Sequence, residues 1–186
     1  MVNRDSVLVT DFYQLAMMNA YFELGMEDQA VFELFVRRLP PERNFLMAAG
    51  LAQVLDYLKT LSFQPEELDY LAADPRFKPG FIDHLANLHF TGDVDAMPEG
   101  SVFFAEEPVL RVTAPISQAQ LVETRIINIL HMQTLVASKA SRFIIAADGR
   151  RIVDFGLRCS HGAEAGLFAA RASYIAGLDG TATVLA

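Results

Sequence analysis

The segment from Arg151 to Ala186 alternates between strand-like and helix-like patterns. A short apolar run, "RIVDF", is followed by the loop "GLRCSHGAE", the helical pattern "AGLFAARASYIAGL" and a further apolar run, "TATVLA". A strand, a helix and a strand in this order form a βαβ unit, in which the strands are parallel and the sheet needs cover on both faces. One such unit cannot bury its faces alone, so we expect the chain to be the front part of a larger α/β protein.

The residues from the start of the sequence to about position 89 predict four helices and a strand. An N-cap at Thr10 and a stop at Gly25 delimit the first helix, which contains "DFYQLAMMNAYFEL". The run "AVFELFVRR" (Ala30–Arg38) is rich in Val and Phe and predicts a strand. Within "NFLMAAGLAQVLDYLKTL", apolar residues at helical spacing predict an amphipathic helix: Leu51, Val54, Leu55 and Leu58. Two shorter helices are expected to begin near Pro65 and Gly80.

The middle of the chain changes from strand patterns to a long helical pattern. Between Phe90 and Pro115, β-type runs separated by "PEG" and "EEP" predict antiparallel strands joined by turns. The longest helical pattern follows, in "QAQLVETRIINILHMQTLVASKASRFIIAA". One face of that helix carries Val122, Ile126, Ile129, Leu130, Gln133, Ala137 and Ala140. Its length predicts a buried spine helix or a subunit contact.

Composition excludes some classes of function. The 186 residues suit one domain, or one small domain with part of another, and carry a net charge of -8. Nucleic-acid binding needs clustered Lys and Arg, so this acidic balance argues against it. The single cysteine cannot form an internal disulfide and favours a reducing, cytoplasmic location. No Cys/His spacing resembles a zinc site, no secretory apolar region opens the sequence, and no apolar run is long enough to span a membrane.

The loop after "RIVDF" holds the residues that most suggest chemistry. Cys159, Ser160 and His161 are adjacent, and sequence neighbours rarely face one another as a nucleophile and its base do. A Cys159–His161 dyad is therefore not expected. Arg158 follows a predicted strand and precedes glycines and a helix amino terminus, an arrangement that suits an anion. Spacing alone leaves two interpretations of Arg158: an anion-binding residue, or a surface arginine that caps the loop.

Other single residues also leave two interpretations. Phe155 is either part of the core or a platform for a stacked ring, and Tyr13 is either core or interface. Asp154 and Glu123 are expected to be isolated, because no carboxylate pair with a defined spacing presents itself. The histidines in helical or turn contexts are expected to be solvated or engaged structurally: His84, His89 and His131.

Six segments, taken in order, resemble a known family. They are "TDFYQLAMMNAYFELG", "AVFELFVRRLP", "NFLMAAGLAQVLDYL", "DAMPEGSVFFAEEPVLRVTAP", "QLVETRIINILHMQTLVASKASR" and "VDFGLR…HG…AARASYIAGLDGTATVLA". Together they run from about Val9 to Ala186 and resemble the N-terminal part of the nicotinate phosphoribosyltransferases, which are type II phosphoribosyltransferases. All six segments occur in register, so the resemblance covers nearly the whole chain.

This resemblance implies a fold, a reaction and partners. The fold is an N-terminal α+β domain (1–115), a long connecting helix (116–150) and the first βαβ portion (151–186) of an incomplete α/β (TIM-like) barrel. The reaction joins nicotinate to 5-phosphoribosyl 1-diphosphate, gives nicotinate mononucleotide and diphosphate, and is coupled to ATP hydrolysis in NAD salvage. Mg²⁺ and cationic groups stabilise the departing diphosphate, so positioning and electrostatics dominate catalysis. A homodimer with a shared active site is also implied.

The same resemblance gives roles to four residues. Tyr13 reaches the pyridine ring, typically from the neighbouring subunit, Phe155 sandwiches that ring, and Arg158 binds an anionic group. Ala182, in "GTAT", occupies the place of an aspartate in the nicotinamide phosphoribosyltransferases, and the missing carboxylate favours the acid over the amide. Where the family commonly has "GLRR", Cys159 replaces the second arginine, so one cation of the family pattern is absent.

No catalytic residue and no metal ligand are assigned within the chain. The family's phosphorylated histidine lies in a "G-T-x-A-H-S" segment that is expected beyond Ala186, and His161 is not its counterpart. We therefore expect the 186-residue chain alone to show no turnover. Two alternatives stay open: a nicotinamide phosphoribosyltransferase-like enzyme, and a non-catalytic oligomerisation module derived from the same family.

Overall fold

The computed structural model describes residues 6–186 and shows a mixed α/β chain. Its elements, in chain order, are α1 (Phe12–Leu24), β1 (Gln29–Phe35), β2 (Leu46–Met47), α2 (Leu51–Thr60), α3 (Pro65–Ala72), α4 (Pro79–Ala86), β3 (Asp93–Ala96), β4 (Val102–Phe103), β5 (Pro108–Pro115), α5 (Ile116–Ala147), β6 (Val153–Asp154), α6 (Ala163–Ile175) and β7 (Gly180–Thr181). A 3₁₀ turn spans Gly156–Cys159. Three strands hydrogen-bond in the order β1-β5-β3, while β2 pairs with β4 and β6 with β7.

The chain forms two compact units that interleave along the sequence. Unit 1 comprises Met1–Phe32, Leu55–Asp95 and Arg111–Ile126, and unit 2 comprises Glu33–Val54, Ala96–Leu110 and Ile127–Ala186. Helix α5 passes from unit 1 into unit 2. The predicted division of the chain at residues 115 and 150 stays a prediction.

Helix α1 belongs to unit 1 and confirms the first predicted helix. Its N-cap is Asp11 rather than the expected Thr10. Gly25 ends the helix in the left-handed conformation (φ 65°), which a residue without a Cβ adopts at no steric cost. The buried residues of α1 are Gln14, Leu15 and Met18, so a polar side chain lies among the apolar ones.

Helices α3 and α4 also belong to unit 1. Helix α3 starts at Pro65, as predicted, and the backbone N–H of Gln64 donates to the Glu67 carboxylate at 2.8 Å in a capping box. Helix α4 starts at Pro79, one residue before the expected Gly80. Aromatic contacts join α4 and the residues before it to α1: Phe22, Phe77, Phe81 and His84. His84 is thus engaged structurally, as expected.

Helix α5 is 32 residues long and confirms the longest predicted helix. Its predicted inner face is buried at every position: Val122, Ile126, Ile129, Leu130, Gln133, Ala137 and Ala140. Gln133 is fully buried, and its amide donates to Gln53 Oε1 at 3.1 Å, because a buried polar group needs a hydrogen-bond partner. The buried-helix prediction is confirmed, whereas a subunit contact along α5 stays a prediction.

The helix predicted within "NFLMAAGLAQVLDYLKTL" is α2, which begins at Leu51. The residues ahead of it include β2, which pairs antiparallel with β4 and places Leu46 opposite Phe103. Gly50 (φ 107°) turns the chain between β2 and α2, where a Cβ would lie 3.2 Å from the backbone oxygen of Ile129. All four residues that predicted the helix, Leu51, Val54, Leu55 and Leu58, lie in α2, so this prediction is confirmed.

The βαβ unit predicted at the end of the sequence is confirmed within unit 2. Strands β6 and β7 are parallel, with Asp154 opposite Thr181, and α6 connects them. The strand predicted from "TATVLA" is wrong after Thr181, because the Thr183 N–H bonds to the Thr181 hydroxyl at 3.0 Å and the residues that follow turn. Small side chains share a core cluster between α6 and α5: Ala137, Ala140, Ala172 and Ala176.

Candidate functional site

Strands β6 and β7 end side by side in unit 2. Because they are parallel and in register, the residues that follow them lie at the same edge. Ligands of parallel α/β folds bind at this edge, in the loops after the carboxyl ends of the strands. Three predicted site residues lie in the two loops here: Phe155, Arg158 and Ala182.

The Asp154 carboxylate joins these two loops. Its Oδ1 accepts the backbone N–H of Gly156 at 2.9 Å, and its Oδ2 accepts the Thr181 hydroxyl at 2.8 Å. In addition, the Ala182 N–H donates to the Asp154 carbonyl at 2.8 Å. The expectation that Asp154 is isolated is therefore wrong, because its partners are an amide and a hydroxyl rather than a second carboxylate. We call the contacts of this carboxylate with Gly156 and Thr181 the Asp154 bridge.

Phe155 is 69% exposed, so the interpretation of this ring as core is wrong. It is followed by the 3₁₀ turn, which the Ser160 hydroxyl closes by donating to the Gly156 carbonyl at 3.0 Å. An exposed aromatic ring at the end of a strand offers its face to a flat heteroaromatic molecule. The stacking role of Phe155 stays a prediction.

Arg158 is exposed, and its guanidinium has no hydrogen bond or ion pair with any of residues 6–186. Helix α6 starts shortly after it and has no side-chain N-cap, since Gly162 (φ 98°) occupies that position. Free N–H groups at a helix amino terminus and an uncommitted guanidinium both favour an anion. The alternative of a loop-capping arginine has no such bond to support it.

Cys159, Ser160 and His161 do not act on one another in this conformation. Cys159 and His161 are both exposed, and no hydrogen bond joins them in the part of the chain that the structure describes. The Ser160 hydroxyl is already bonded to the Gly156 carbonyl. The three adjacent residues therefore provide no base for the thiol.

Tyr13 lies on α1 in unit 1 and is 46% exposed, so it is not a core residue. Its hydroxyl donates to Glu123 Oε2 at 3.4 Å and accepts the Gln14 amide at 2.9 Å. The buried Gln14 amide also donates to Glu123 Oε2 at 2.8 Å, and Gln120 bonds to both Gln14 and Glu123. Glu123 is therefore not isolated, contrary to expectation. The network holds the hydroxyl end of Tyr13 while part of the side chain stays exposed, and its interface role stays a prediction.

Sequence reasoning missed both polar networks. A local signal for the Asp154 bridge does exist, because an aspartate two residues before a glycine at a strand end is typical of an Asx turn. No spacing predicts its second partner, since Thr181 is 27 residues away and only the parallel register brings it close. The same holds for Glu123, which is 110 residues from Tyr13.

Unit 1 also contains an open, mainly apolar cleft of about 810 Å³. Its wall includes Phe12, Tyr70 and Phe77. At its rim, Arg76 pairs with Asp74 and lies 4.2 Å from the centre of the Phe12 ring. The hydrogen bonds from Arg76 lower the pKa of Asp74 to about 2, so these two charges are committed to each other.

The groups at the edge of β6 and β7 are an aromatic ring, a guanidinium and backbone amides.

Within residues 6–186, no helix is long and apolar enough to cross a membrane. Over the same range, no group of three or more His, Cys, Asp or Glu side chains is placed to hold a metal ion.

The features at this edge indicate a class of protein. At the carboxyl edge of parallel strands lie an exposed ring, an uncommitted guanidinium and an uncapped helix amino terminus, a candidate α/β site whose chemistry suits a flat, anionic molecule. The family model of the nicotinate phosphoribosyltransferase (NAPRTase) N-terminal domain matches residues 8–131. The chain belongs to that family.

Curated relatives and a solved structure agree with this assignment. The chain is 48% identical over 179 residues to nicotinate phosphoribosyltransferase pncB2 of Mycobacterium tuberculosis, and 40% identical over 180 residues to nicotinate phosphoribosyltransferase of Bacillus subtilis. Each match covers 96% of this chain but only 39% and 37% of the relative. The crystal structure of human nicotinic acid phosphoribosyltransferase superimposes with a TM-score of 0.86 at 36% identity, over 95% of this chain and 36% of that one.

Proposed function

We propose that the chain forms the N-terminal part of a nicotinate phosphoribosyltransferase. The complete enzyme would join nicotinate to 5-phosphoribosyl 1-diphosphate, giving nicotinate mononucleotide and diphosphate in NAD salvage. The main support is the 48% identity to an enzyme of this name across 96% of the chain. Under this proposal the β6–α6–β7 unit begins an incomplete, TIM-like α/β barrel, and the site at its edge is part of the active site.

The chemistry of the substrate fits the groups at this edge. Nicotinate is a flat pyridine ring with a carboxylate, and Phe155 and Arg158 offer a ring face and a cation. Each interaction is modest, about 1 kcal/mol for stacking and about 2 kcal/mol for a charge-assisted hydrogen bond. Their main effect is to orient the pyridine nitrogen for attack on the anomeric carbon, whose bond to diphosphate breaks with the electron pair leaving on diphosphate.

Two further residues complete the proposed site. Tyr13 would reach the ring from the second subunit of a homodimer, which its 46% exposure permits. Ala182 leaves the loop after β7 without a carboxylate, so nothing at that position repels the carboxylate of nicotinate.

We propose that the complete enzyme requires Mg²⁺ and ATP. We also propose that it is located in the cytoplasm. Bound Mg²⁺ would supply charge stabilisation to the departing diphosphate. The acidic and histidine side chains of residues 6–186 do not gather into a cluster that fits this ion. No step proposed for this chain therefore runs through the metal.

A chimaera tests the proposal. This chain would replace the matching N-terminal 39% of the Mycobacterium tuberculosis relative. We expect the purified chimaera to form nicotinate mononucleotide from nicotinate and 5-phosphoribosyl 1-diphosphate, and the 186-residue chain alone to form none. A second chimaera that exchanges only 151–186 covers the case in which the larger exchange does not fold. A folded chimaera without activity would contradict the proposal and favour a non-catalytic module.

Arg158→Ala in the active chimaera should lower kcat/KM for nicotinate by roughly 30-fold or more, because a charge-assisted bond to an anion is lost. Arg151→Ala is the matched control, since Arg151 is also exposed but precedes β6, at the other end of the strand. Steady-state kinetics of both variants measure the difference. Equal losses in the two variants would show that Arg158 has no special role.

A further inference from the structure

We infer that Asp154 is a positioning residue of the proposed pyridine site, holding the loop with Phe155 and Arg158 to the loop with Ala182. This inference rests on the proposed function and extends it to a residue with no assigned role. Asp154 itself lies at the end of β6, and it acts through the main chain of one loop and the Thr181 hydroxyl at the start of the other.

The shortness of the two strands gives the Asp154 bridge a large share of the contacts between them at the carboxyl edge. Strands β6 and β7 contain two residues each, so few backbone hydrogen bonds hold them together. At their carboxyl edge, three contacts meet at Asp154: the Gly156 amide and the Thr181 hydroxyl on the carboxylate, and the Ala182 amide on the carbonyl. Two of these three contacts depend on the side chain.

The residue after Phe155 is also adapted to this contact. A Cβ at Gly156 would lie 2.9 Å from Asp154 Oδ1, closer than real Cβ atoms approach other heavy atoms. The absence of a side chain at Gly156 therefore lets the carboxylate approach its amide. Phe155 lies between Asp154 and Gly156, which this hydrogen bond joins. The bridge therefore restricts the main chain on both sides of Phe155, the residue whose ring is proposed to stack on the substrate.

A second aspartate bonds across the opposite end of the same strand pair and provides a matched control. The Asp179 carboxylate accepts the Ile152 N–H at 2.8 Å, and the Asp179 N–H donates to the Ile152 carbonyl at 2.9 Å. Asp179 lies ahead of β7, at the amino edge, where no proposed site residue is found. A purely structural role predicts similar behaviour for Asp154 and Asp179, whereas a positioning role predicts a difference.

The experiment compares variants in the active chimaera. Asp154→Ala should raise KM for nicotinate by about 10-fold with a smaller change in kcat, because the two loops are no longer held in register. Thr181→Val, which loses one contact of the bridge, should raise KM by about 3-fold. Asp154→Asn should restore KM to near the parental value, since its oxygen still accepts the Gly156 N–H and its amide can donate to Thr181. Asp179→Ala should leave KM unchanged.

Amide hydrogen exchange in the 186-residue chain gives a readout that does not need activity. The Gly156 N–H should exchange faster in Asp154→Ala than in the parent or in Asp154→Asn. An active chimaera whose KM is unchanged by Asp154→Ala, or raised equally by Asp179→Ala, would overturn the positioning role alone. An inactive, folded parent chimaera would overturn the proposed function and the pyridine site with it, while unchanged exchange at Gly156 would overturn the bridge itself.

Discussion

Replacing Arg171 by methionine should lower the free energy of unfolding of the chain by about 2–3 kcal/mol, because the Glu99 carboxylate would lose its cation. The two terminal nitrogens of Arg171 donate to the two Glu99 oxygens at 2.8 and 2.6 Å. Both side chains are largely sheltered, with 31% and 19% of their surface exposed. Glu99 also accepts the Gly50 N–H at 2.6 Å, so the pair fixes the turn between β2 and α2. Urea denaturation followed by circular dichroism measures the loss.

An exposed ion pair of similar length serves as the control. Lys78 and Glu23 lie 2.8 Å apart in unit 1, with 72% and 42% of their side chains exposed. Lys78→Met should cost no more than about 0.5 kcal/mol, since water screens such a pair. The double variant Glu99→Gln/Arg171→Met should be more stable than Arg171→Met alone, because it leaves no unpaired charge at position 99. Equal losses for Arg171→Met and Lys78→Met would contradict the argument from burial.

The Arg171–Glu99 pair also predicts how the free energy of unfolding depends on pH. Hydrogen bonds from Arg171 hold the pKa of Glu99 below its usual range, and the Gly50 amide adds to this while burial opposes it. A carboxyl group with a depressed folded pKa stabilises the fold above its unfolded pKa, and that stability is lost as the pH falls through the folded pKa. The chain should therefore lose stability as the pH drops below the ordinary carboxyl range. Arg171→Met should show a shallower loss over the same interval, measured by denaturation at a series of pH values.

The periodic parts of the fold were predictable, and the short parts were not. Helix α5 presents apolar and small residues at helical spacing, so its buried face could be identified from sequence alone. Strand β2 covers only Leu46–Met47, too short to show the alternation of a strand, and its partner β4 lies far along the chain. After β7, the Thr181 hydroxyl bonds locally to the Thr183 N–H, and this turn overrides the β propensity of the run.

The location of the candidate site could be predicted, but not the contacts that organise it. The rule that ligands bind after the carboxyl ends of parallel strands led directly to Phe155 and Arg158. The rule considers each loop separately, whereas the Asp154 bridge exists only because the register of β6 and β7 brings Thr181 opposite. The lack of a second carboxylate beside Asp154 does not leave it without partners, since amides and hydroxyls satisfy a lone carboxylate equally well.

The loop after β7 should decide between an acid and an amide substrate. In the active chimaera, Ala182→Asp should shift the ratio of kcat/KM for nicotinate over nicotinamide toward the amide by roughly 30- to 100-fold, or about 2–3 kcal/mol. The new carboxylate would repel that of nicotinate and would accept a hydrogen bond from the carboxamide. Kinetics with each substrate in turn give the ratio.

Ala182→Asn separates charge from size in this experiment. Asparagine has nearly the volume of aspartate, but its amide can donate to a carboxylate as well as accept from a carboxamide. It should therefore move the ratio by only a few-fold, since neither substrate meets a like charge. If aspartate and asparagine shifted the ratio equally, the effect would come from crowding. If neither shifted it, Ala182 would lie outside the pocket and would not be the residue that favours nicotinate.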